Sequence, residues 1–236
     1  MRNHITLLLI FFTASLFAQS VPKIKTDLQR NNLKGKVKSL SILDHEGNIS
    51  SQNEYDTKGL LQKQTAYSYG IPNNYTIYQY SSKGQLNMLV FHFEYEDLPK
   101  DHVTIEITPK GITRKHIPEG NSDPTVIEEF DNHGNQVSHT IFKNKEVLTK
   151  VTYEYAGVDF YSRMTTEGSM IDNLDILFEN DSHGNPIVMT TTVAGKTTKS
   201  HTTYTYDTQG NWKKSVTTSE DGKPAIIESR SIEYYP

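Results

Sequence analysis

Residues 204–212 read Tyr-Thr-Tyr-Asp-Thr-Gln-Gly-Asn-Trp, and this stretch contains the signals that decide the fold. Its two tyrosines lie two residues apart, so they share one face of a strand, because successive side chains of a strand alternate between faces. Aspartate opens a tight turn by accepting backbone hydrogen bonds, and glycine at the fourth turn position adopts positive φ at no steric cost. The stretch therefore predicts a strand, a hairpin turn and a return strand.

The same turn recurs along the chain with a period of about 25 residues, which is typical of a repeat protein. Its other copies are Tyr55 to Gly59, Tyr80 to Gly84, Phe130 to Gly134 and Asn180 to Gly184. Each aspartate is expected to accept hydrogen bonds from the N–H groups two or three residues further on. Each repeat is then two strands, and the chain forms an antiparallel meander. We assign the repeat turns to Asp56, Gly59, Gly84, Asp131, Gly134, Asp181, Gly184, Asp207 and Gly210.

These turns resemble those of the YD-repeat (Rhs-type) family and its small exported members, and the resemblance covers most of residues 41–223. It includes the Gly-Asn continuation at Gly47-Asn48, Gly134-Asn135, Gly184-Asn185 and Gly210-Asn211. In that family the repeats wind into a long antiparallel sheet, which in large members closes into a shell around a toxin. The resemblance implies an all-β meander of two-strand repeats, curved or partly closed, with little helix.

The first residues predict export. Arg2 is followed by an apolar run at 5–17 and then by Ala18, a small residue of the kind that a signal peptidase requires. The run is shorter than the roughly 20 residues that cross a bilayer, so we expect cleavage after Ala18 and no transmembrane segment afterwards. The expected location is periplasmic or secreted. We divide the chain into a signal peptide at 1–18, a segment leading into the first strand at 19–40, and a repeat domain at 41–236.

Composition excludes several classes of protein. The chain has no cysteine, which rules out disulfides, a lipidated cysteine and a thiolate metal site. Its net charge is −4 and its charges are interleaved, which argues against a nucleic-acid partner. The basic run from Lys23 to Lys38 is interpreted as a solvated lead-in segment. Only 35% of residues are hydrophobic, which favours strands with a solvated face.

Candidate chemistry is sparse. His133 and His183 occupy matching places beside Asp131 and Asp181, which suggests paired metal ligands, but we interpret both as polar turn residues exposed to water. Adjacent glutamates such as Glu128 and Glu129 point to opposite faces of a strand and so cannot act as a catalytic pair. No hydrolase, zinc or phosphate-binding motif is present. We therefore predict no catalytic residue, no metal and no cofactor.

Clustered aromatic residues provide the candidate binding surface. Aromatic side chains on a sheet bind glycans or partner proteins, and they also stabilise cross-strand pairs. One cluster lies between Tyr67 and Tyr80, and a second comprises Tyr153, Tyr155, Phe160 and Tyr161. Three functions stay open: a non-catalytic envelope or secreted interaction module with a protein or glycan partner, a carbohydrate-binding protein, and a hydrolase with an unrecognised cleft. The tentative ligand-binding residues are Tyr67, Tyr69, Tyr75, Tyr78, Tyr80 and Trp212.

Overall fold

The computed structural model describes residues 22, 24–93, 98–157, 160–169, 172–220, 222 and 224–236, and of residues 224–225 only the backbone. The predicted signal peptide and its cleavage site lie outside the described residues. The single short helix in the described chain is α1 (Asp27–Arg30). The strands are β1 (Val37–Leu43), β2 (Ile49–Tyr55), β3 (Leu61–Ser68), β4 (Ile71–Tyr80), β5 (Leu86–Phe93), β6 (Asp101–Thr108), β7 (Gly111–Pro118), β8 (Val126–Phe130), β9 (Gln136–Lys143), β10 (Glu146–Ala156), β11 (Phe160–Glu167), β12 (Leu174–Asn180), β13 (Pro186–Val193), β14 (Lys196–Tyr206), β15 (Trp212–Ser219) and β16 (Pro224–Tyr234).

The strands form one closed antiparallel barrel. Each strand pairs with its sequence neighbours, and β1 closes the ring by pairing with β16, with Leu40 opposite Ile232. The predicted all-β meander is confirmed, and the curved sheet closes completely. Closure removes the two edge strands that an open sheet would present to other chains, although among the described residues β5 and β6 pair only at Met88–His102 and Leu89–Asp101. Among the described residues, no helix is long and apolar enough to span a membrane.

The five repeat turns all lie at the same end of the barrel, which we call the turn end, because they join even-numbered strands to the strands that follow. In the first of them, Gly59 donates to the Asp56 carbonyl and has φ of 81°. The Asp56 carboxylate accepts from the N–H groups of Lys58 and Leu60, two and four residues on. The second donor therefore lies at the fourth residue and not at the third, since the glycine N–H is already used by the aspartate carbonyl.

A β-bulge follows each of these turns. Tyr55 pairs with Leu61 but Glu54 pairs with Lys63, so one extra residue enters the return strand. A bulge leaves a backbone group without a ladder partner and increases strand twist. A tyrosine of the next repeat satisfies the carbonyl at this place in three repeats: Tyr80 donates to Leu61, Tyr155 to Gln136 and Tyr204 to Pro186. The recurring tyrosine thus links successive repeats, a role beyond ring packing.

The turn aspartates form a second link between repeats. The Tyr206 hydroxyl donates to the carboxylate of Asp181, and Tyr234 donates to that of Asp207. Asn185 and Asn211, which follow the turn glycines, donate to the same tyrosine oxygens at 3.0 and 2.8 Å. The Tyr, Asp and Asn positions of the motif are therefore one hydrogen-bonded unit shared by two repeats.

The N-terminal residues 24–36, which we call the plug segment, lie across the turn end. A ring of sixteen strands is too wide for wall side chains alone to fill. Leu28 and Leu33 of the plug segment are buried in a cluster with Val37, Leu40 and Tyr55. The interpretation of this basic run as a solvated segment is wrong, because its leucines supply core contacts that the barrel wall needs.

Hydrogen bonds attach the plug segment to turns that are widely separated around the ring. The Leu28 N–H donates to the Gly59 carbonyl at 3.2 Å, and Asn32 donates to the His183 carbonyl at 2.7 Å. Lys34 is held twice by the Asn211 side chain, which accepts from its N–H and donates to its carbonyl, both at 2.8 Å. Lys25 donates to the Asn135 side chain. The Asn that follows a turn glycine therefore recognises the plug segment at two of the turns.

The two faces of the wall differ in composition. Tyr55, Tyr80 and Glu128 lie on the inner face of the wall, as the plug segment does. On each of these strands the side chains that alternate with the inward ones face outward. Ion pairs stabilise the outer face, including Arg163 with Asp175 at 2.9 Å. Charged outward positions occur all around the ring, at Glu54, Lys63, Lys115, Glu129, Lys150, Arg163, Asp175, Lys199, Lys214 and Glu233.

Candidate functional site

A cavity lies between the plug segment and the wall formed by β9 to β11 and the turn after β12. Its volume is about 550 Å³, within the range of roughly 300–1,000 Å³ that small-molecule sites occupy. The floor is formed by plug residues, and the wall by aromatic rings of β10 and β11. The described lining residues are Lys25, Gln29, Arg30, Asn32, Leu33, Lys34, Gly134, Asn135, Gln136, Tyr153, Tyr155, Phe160, Tyr161 and Gly184.

The aromatic wall of this cavity is an edge-to-face cluster. Tyr161 stands perpendicular to Tyr155 with centroids 6.3 Å apart, and perpendicular to Phe178 at 4.9 Å. Tyr153 lies 6.1 Å from Tyr161. Although Tyr161 is on the inner face, 37% of its surface is exposed, so solvent reaches its ring from within the barrel. The second aromatic cluster identified in the sequence therefore lines the cavity.

Phe160 fixes the position of the neighbouring turn. Its ring lies directly over Gly184, where a β-carbon would overlap the ring atoms. Gly184 also has φ of 85°, which disfavours any residue with a side chain. Two independent constraints, the nearby Phe160 ring and the positive φ, therefore select glycine at this turn.

A buried ionic cluster lies beside the cavity on the inner face. Glu128 accepts from Arg114 and contacts His116 Nε2, both at 3.0 Å, and accepts from Gln136 at 3.1 Å. His139 Nδ1 lies 3.9 Å away. Glu129, the adjacent residue, is exposed and bonds Ser138 on the other face, as strand alternation predicts.

The ionic cluster holds Glu128 in its charged form. Burial alone raises the pKa of a carboxyl group, but the hydrogen bond with His116, the nearby His139 ring and the charge of Arg114 outweigh it. The pKa of Glu128 therefore lies well below its ordinary value. A carboxylate in this state cannot donate a proton near neutral pH, so the cluster lacks the raised-pKa acid of a glycosidase.

The cluster is continuous with the plug segment through one aromatic ring. The guanidinium groups of Arg30 and Arg114 lie 5.2 and 5.1 Å from the centroid of the Phe130 ring. Arg30 is also paired with Asp27 at 2.9 Å, and the Tyr80 hydroxyl oxygen lies 2.9 Å from the same aspartate. Burial and the nearby Arg114 lower the pKa of Arg30. The plug segment and the wall thus contact each other through cation–π contacts at Phe130 and the ion pair of Arg30 with Asp27.

The six tentative ligand-binding residues do not share one surface. Tyr67 and Tyr75 are on the outer face, where Tyr75 stacks on His92 with centroids 4.3 Å apart. Tyr69 is 97% exposed at the β3–β4 hairpin. Tyr78 and Tyr80 face inward, and burial raises the pKa of Tyr78 to about 12. The alternation of faces, together with the hairpin at 69–70, separates residues that are close in sequence.

Trp212 faces inward and is covered by an arginine. The guanidinium carbon of Arg230 lies 3.3 Å from the centroid of the Trp212 ring, and Tyr204 lies 5.7 Å from it. Burial lowers the pKa of Arg230 to about 10. One face of the tryptophan ring is therefore occupied by this cation–π contact.

The sequence interpretation missed the plug residues of the cavity. The charges of Lys25, Arg30 and Lys34 suggest a solvated segment and obscure the buried positions Leu28 and Leu33. The capping box of α1, in which Thr26 and Gln29 bond each other's backbone, is the signal that indicates a folded turn here.

The two turn histidines differ in their surroundings. His133 is exposed as predicted, whereas the His183 ring stacks on Tyr206 with centroids 4.1 Å apart. The expectation that both face water is therefore wrong for His183, because Tyr206 bonds Asp181 and so lies beside the turn. Among the described residues, no cluster of histidine and acidic side chains is arranged to hold a metal ion.

We expect His183→Ala to lower the free energy of unfolding by about 0.5–1.5 kcal/mol through loss of the ring stack. His133→Ala should cost less than about 0.5 kcal/mol, since that ring is exposed. Chelation should leave the melting temperature of the parent unchanged. Thermal and urea unfolding measure all three effects. A fall in melting temperature on chelation would contradict the assignment of these residues to turns.

No protein-family model and no curated protein matches this sequence. Solved structures to which this chain shows some similarity include a porin-like protein from Bacteroides uniformis, with TM-score 0.47, 10% identity, and coverage of 89% of this chain and 100% of that chain. A porin-like protein from Bacteroides vulgatus has TM-score 0.40, 13% identity, and coverage of 85% and 99%. The Photorhabdus luminescens Tc holotoxin pore has TM-score 0.26 and 17% identity over 75% of this chain and 9% of that chain.

The fold and the site together define the class of this protein. It is a closed antiparallel β-barrel of two-strand repeats with an N-terminal plug segment and an aromatic-lined internal cavity. The resemblance to the YD-repeat family remains a prediction from the turn sequences.

Proposed function

We propose that this protein is an exported, non-catalytic barrel that acts as a binding module in the periplasm or outside the cell. The observation that carries the proposal is the charged outer wall. A barrel embedded in lipid has an apolar outward band, and a lysine or arginine at the middle of that band costs about 2–4 kcal/mol. Lys63, Lys115 and Lys214 face outward within strands here, which supports a wall surrounded by water.

The inner face supports binding over catalysis. The buried carboxylate Glu128 is held ionised by cationic partners, and the nearby cavity is lined by aromatic and cationic side chains. A second function, catalytic hydrolysis, requires a carboxyl group with a raised pKa facing a second carboxylate across a cleft. Among the described cavity residues there is no such pair.

Export and solubility are tested together by cell fractionation. We expect the mature protein to begin at or within a few residues of Gln19 and to be recovered without detergent, because the one long apolar run is removed. N-terminal sequencing of the periplasmic and supernatant fractions measures both. Intact protein beginning at Met1 in the membrane pellet would overturn the proposal.

Binding to a macromolecule is tested by cross-linking. The tagged mature protein is cross-linked in the envelope fraction and in the culture supernatant, and the captured species are identified. We expect enrichment of a discrete partner relative to a sample in which the protein is denatured before cross-linking. Equal recovery from the native and denatured samples, together with no small ligand retained by the purified protein, would contradict the function as a binding module.

A further inference from the structure

We propose that the cavity between the plug segment and β10–β11 binds a carboxylated sugar ring of the hexuronic acid class. The proposal rests on the proposed function as a binding module, and it names the ligand that the cavity chemistry fits. It moves the binding site from the outer tyrosines to the interior, where an aromatic wall faces a cationic floor.

The aromatic wall provides the apolar surface for a ring. Tyr153 and Tyr161 line the cavity, and tyrosine combines a flat apolar ring with a polar hydroxyl. The Tyr155 hydroxyl does not need a ligand as its acceptor, since it donates to the Gln136 carbonyl at 2.8 Å. That bond holds the wall in place without the ligand. A sugar has an apolar C–H face and hydroxyl edges, which match this combination.

The floor provides the charge. Lys25, Arg30 and Lys34 line the cavity, and the lining residues that the structure describes include no carboxylate. The Arg30 charge is balanced by Asp27, whose carboxylate lies 2.9 Å from it. The position of Lys34 is set differently, by hydrogen bonds between the Asn211 side chain and the Lys34 N–H and carbonyl groups. The Lys34 side chain is half-buried. The cationic side chains and the lack of a carboxylate in the described lining favour an anionic ligand over a neutral one.

The size and polarity of the cavity argue for a sugar over a purely aromatic acid. A volume of about 550 Å³ accepts one or two sugar rings. Amide side chains of Gln29 and Asn32 lie along the floor, and such groups bond hydroxyls that an aromatic acid lacks. The cavity thus offers a stacking surface, a cation and amide groups within one site.

The test measures binding of D-glucuronate, D-galacturonate and the galacturonate disaccharide to the full mature protein by isothermal titration calorimetry. D-Glucose, D-galactose and benzoate serve as comparison ligands. We expect at least one uronate to bind at least about tenfold more tightly than its neutral counterpart, because only the uronate carries a charge for the cationic floor, and more tightly than benzoate, because benzoate has no hydroxyls for the amide groups to bond. Product analysis after incubation checks that the sugars are not cleaved.

Matched variants locate the binding. Lys34→Gln should weaken uronate binding about tenfold and leave the neutral sugars unchanged. Tyr161→Leu should weaken binding of uronate and neutral sugar alike, by about three- to tenfold. Lys199→Gln and Tyr75→Leu make the same changes on the outer face and should alter neither affinity. Melting temperatures are measured for each variant, and Lys34→Gln provides the test if Tyr161→Leu does not fold.

Three outcomes would overturn the proposal: no uronate binds, neutral sugars or benzoate bind as tightly as the uronates, or the outer-face variants weaken binding as much as Lys34→Gln. These outcomes leave export and solubility untouched, because cell fractionation measures those separately. Failure of the proposed function would appear instead as a membrane-bound precursor or as cleavage of the sugars.

Discussion

Deletion of residues 185–195 is expected to abolish the barrel, whereas deletion of the longer stretch 185–210 should leave a folded protein. The shorter deletion removes β13 alone and reverses the direction of every later strand. β16 would then run parallel to β1, so the antiparallel ladder that closes the ring could not form. Two sheet edges would be left unpaired, and exposed edges promote aggregation.

The longer deletion removes β13 and β14 together. It joins Gly184 to Asn211 and so restores a Gly-Asn turn between β12 and β15, with every remaining strand in its original direction. Fourteen strands still make an even number and can close as an antiparallel ring. The variant with the longer deletion should nevertheless be less stable than the parent. Its narrower ring fits the plug segment less well, and the Tyr206 bond to Asp181 is lost.

Soluble yield and cooperative thermal unfolding distinguish the two deletions. We expect no cooperative transition after the shorter deletion and a transition at lowered temperature after the longer one. A shorter deletion that folds as well as the longer one would show that the two-strand repeat does not describe how this barrel is built.

Glu128→Ala is expected to lower the free energy of unfolding by about 3–5 kcal/mol, the cost of leaving a buried charge without its partner. Arg114 and Glu128 retain only 11% and 15% of side-chain exposure, so Arg114 would lose its counter-charge where little water replaces it. Glu129→Ala is the matched control, one residue away on the outer face. It removes one bond to Ser138 and should cost no more than about 1 kcal/mol.

The pH dependence of the parent provides a second measure of the Glu128 contribution. Because the pKa of Glu128 is lowered in the folded state, its stabilisation is complete above the ordinary value of 4.5 and is lost as pH falls below it. Urea unfolding between pH 7 and pH 3 should therefore show a smaller loss of stability for Glu128→Ala than for the parent. Equal slopes, or equal costs for the two alanine variants, would contradict the buried ionic cluster.

The turn motif was sufficient to predict the strand order but not the closure of the barrel. Aspartate, glycine and the alternating tyrosines act on neighbours a few residues away, so local sequence indicates each hairpin. Closure depends on β1 meeting β16, as in the pairing of Leu40 with Ile232. Nothing in the local pattern specifies how many strands complete a ring, because that number follows from the accumulated twist and stagger of all the strands.

The cavity was predictable only in part. The cluster from Tyr153 to Tyr161 is visible in the sequence, but its partner is a basic segment more than one hundred residues away. Contacts such as Lys34 with Asn211 connect polar residues that have no periodicity to reveal their burial. The outer tyrosines Tyr67 and Tyr75 look equally suitable in the sequence, and only the closed ring separates the outside from the inside.

The plug segment has a consequence for the order of assembly. It is synthesised before any strand, yet its partners His183 and Asn211 lie 151 and 177 residues later in the chain. Its contacts with Gly59 and Tyr55 involve residues that follow it closely, but its bonds to His183 and Asn211 require hairpins that are made much later. Complete docking of the segment therefore requires the last repeats. A chain truncated before the final repeats would keep this segment loose and accessible to proteases, so its docking marks the completed molecule.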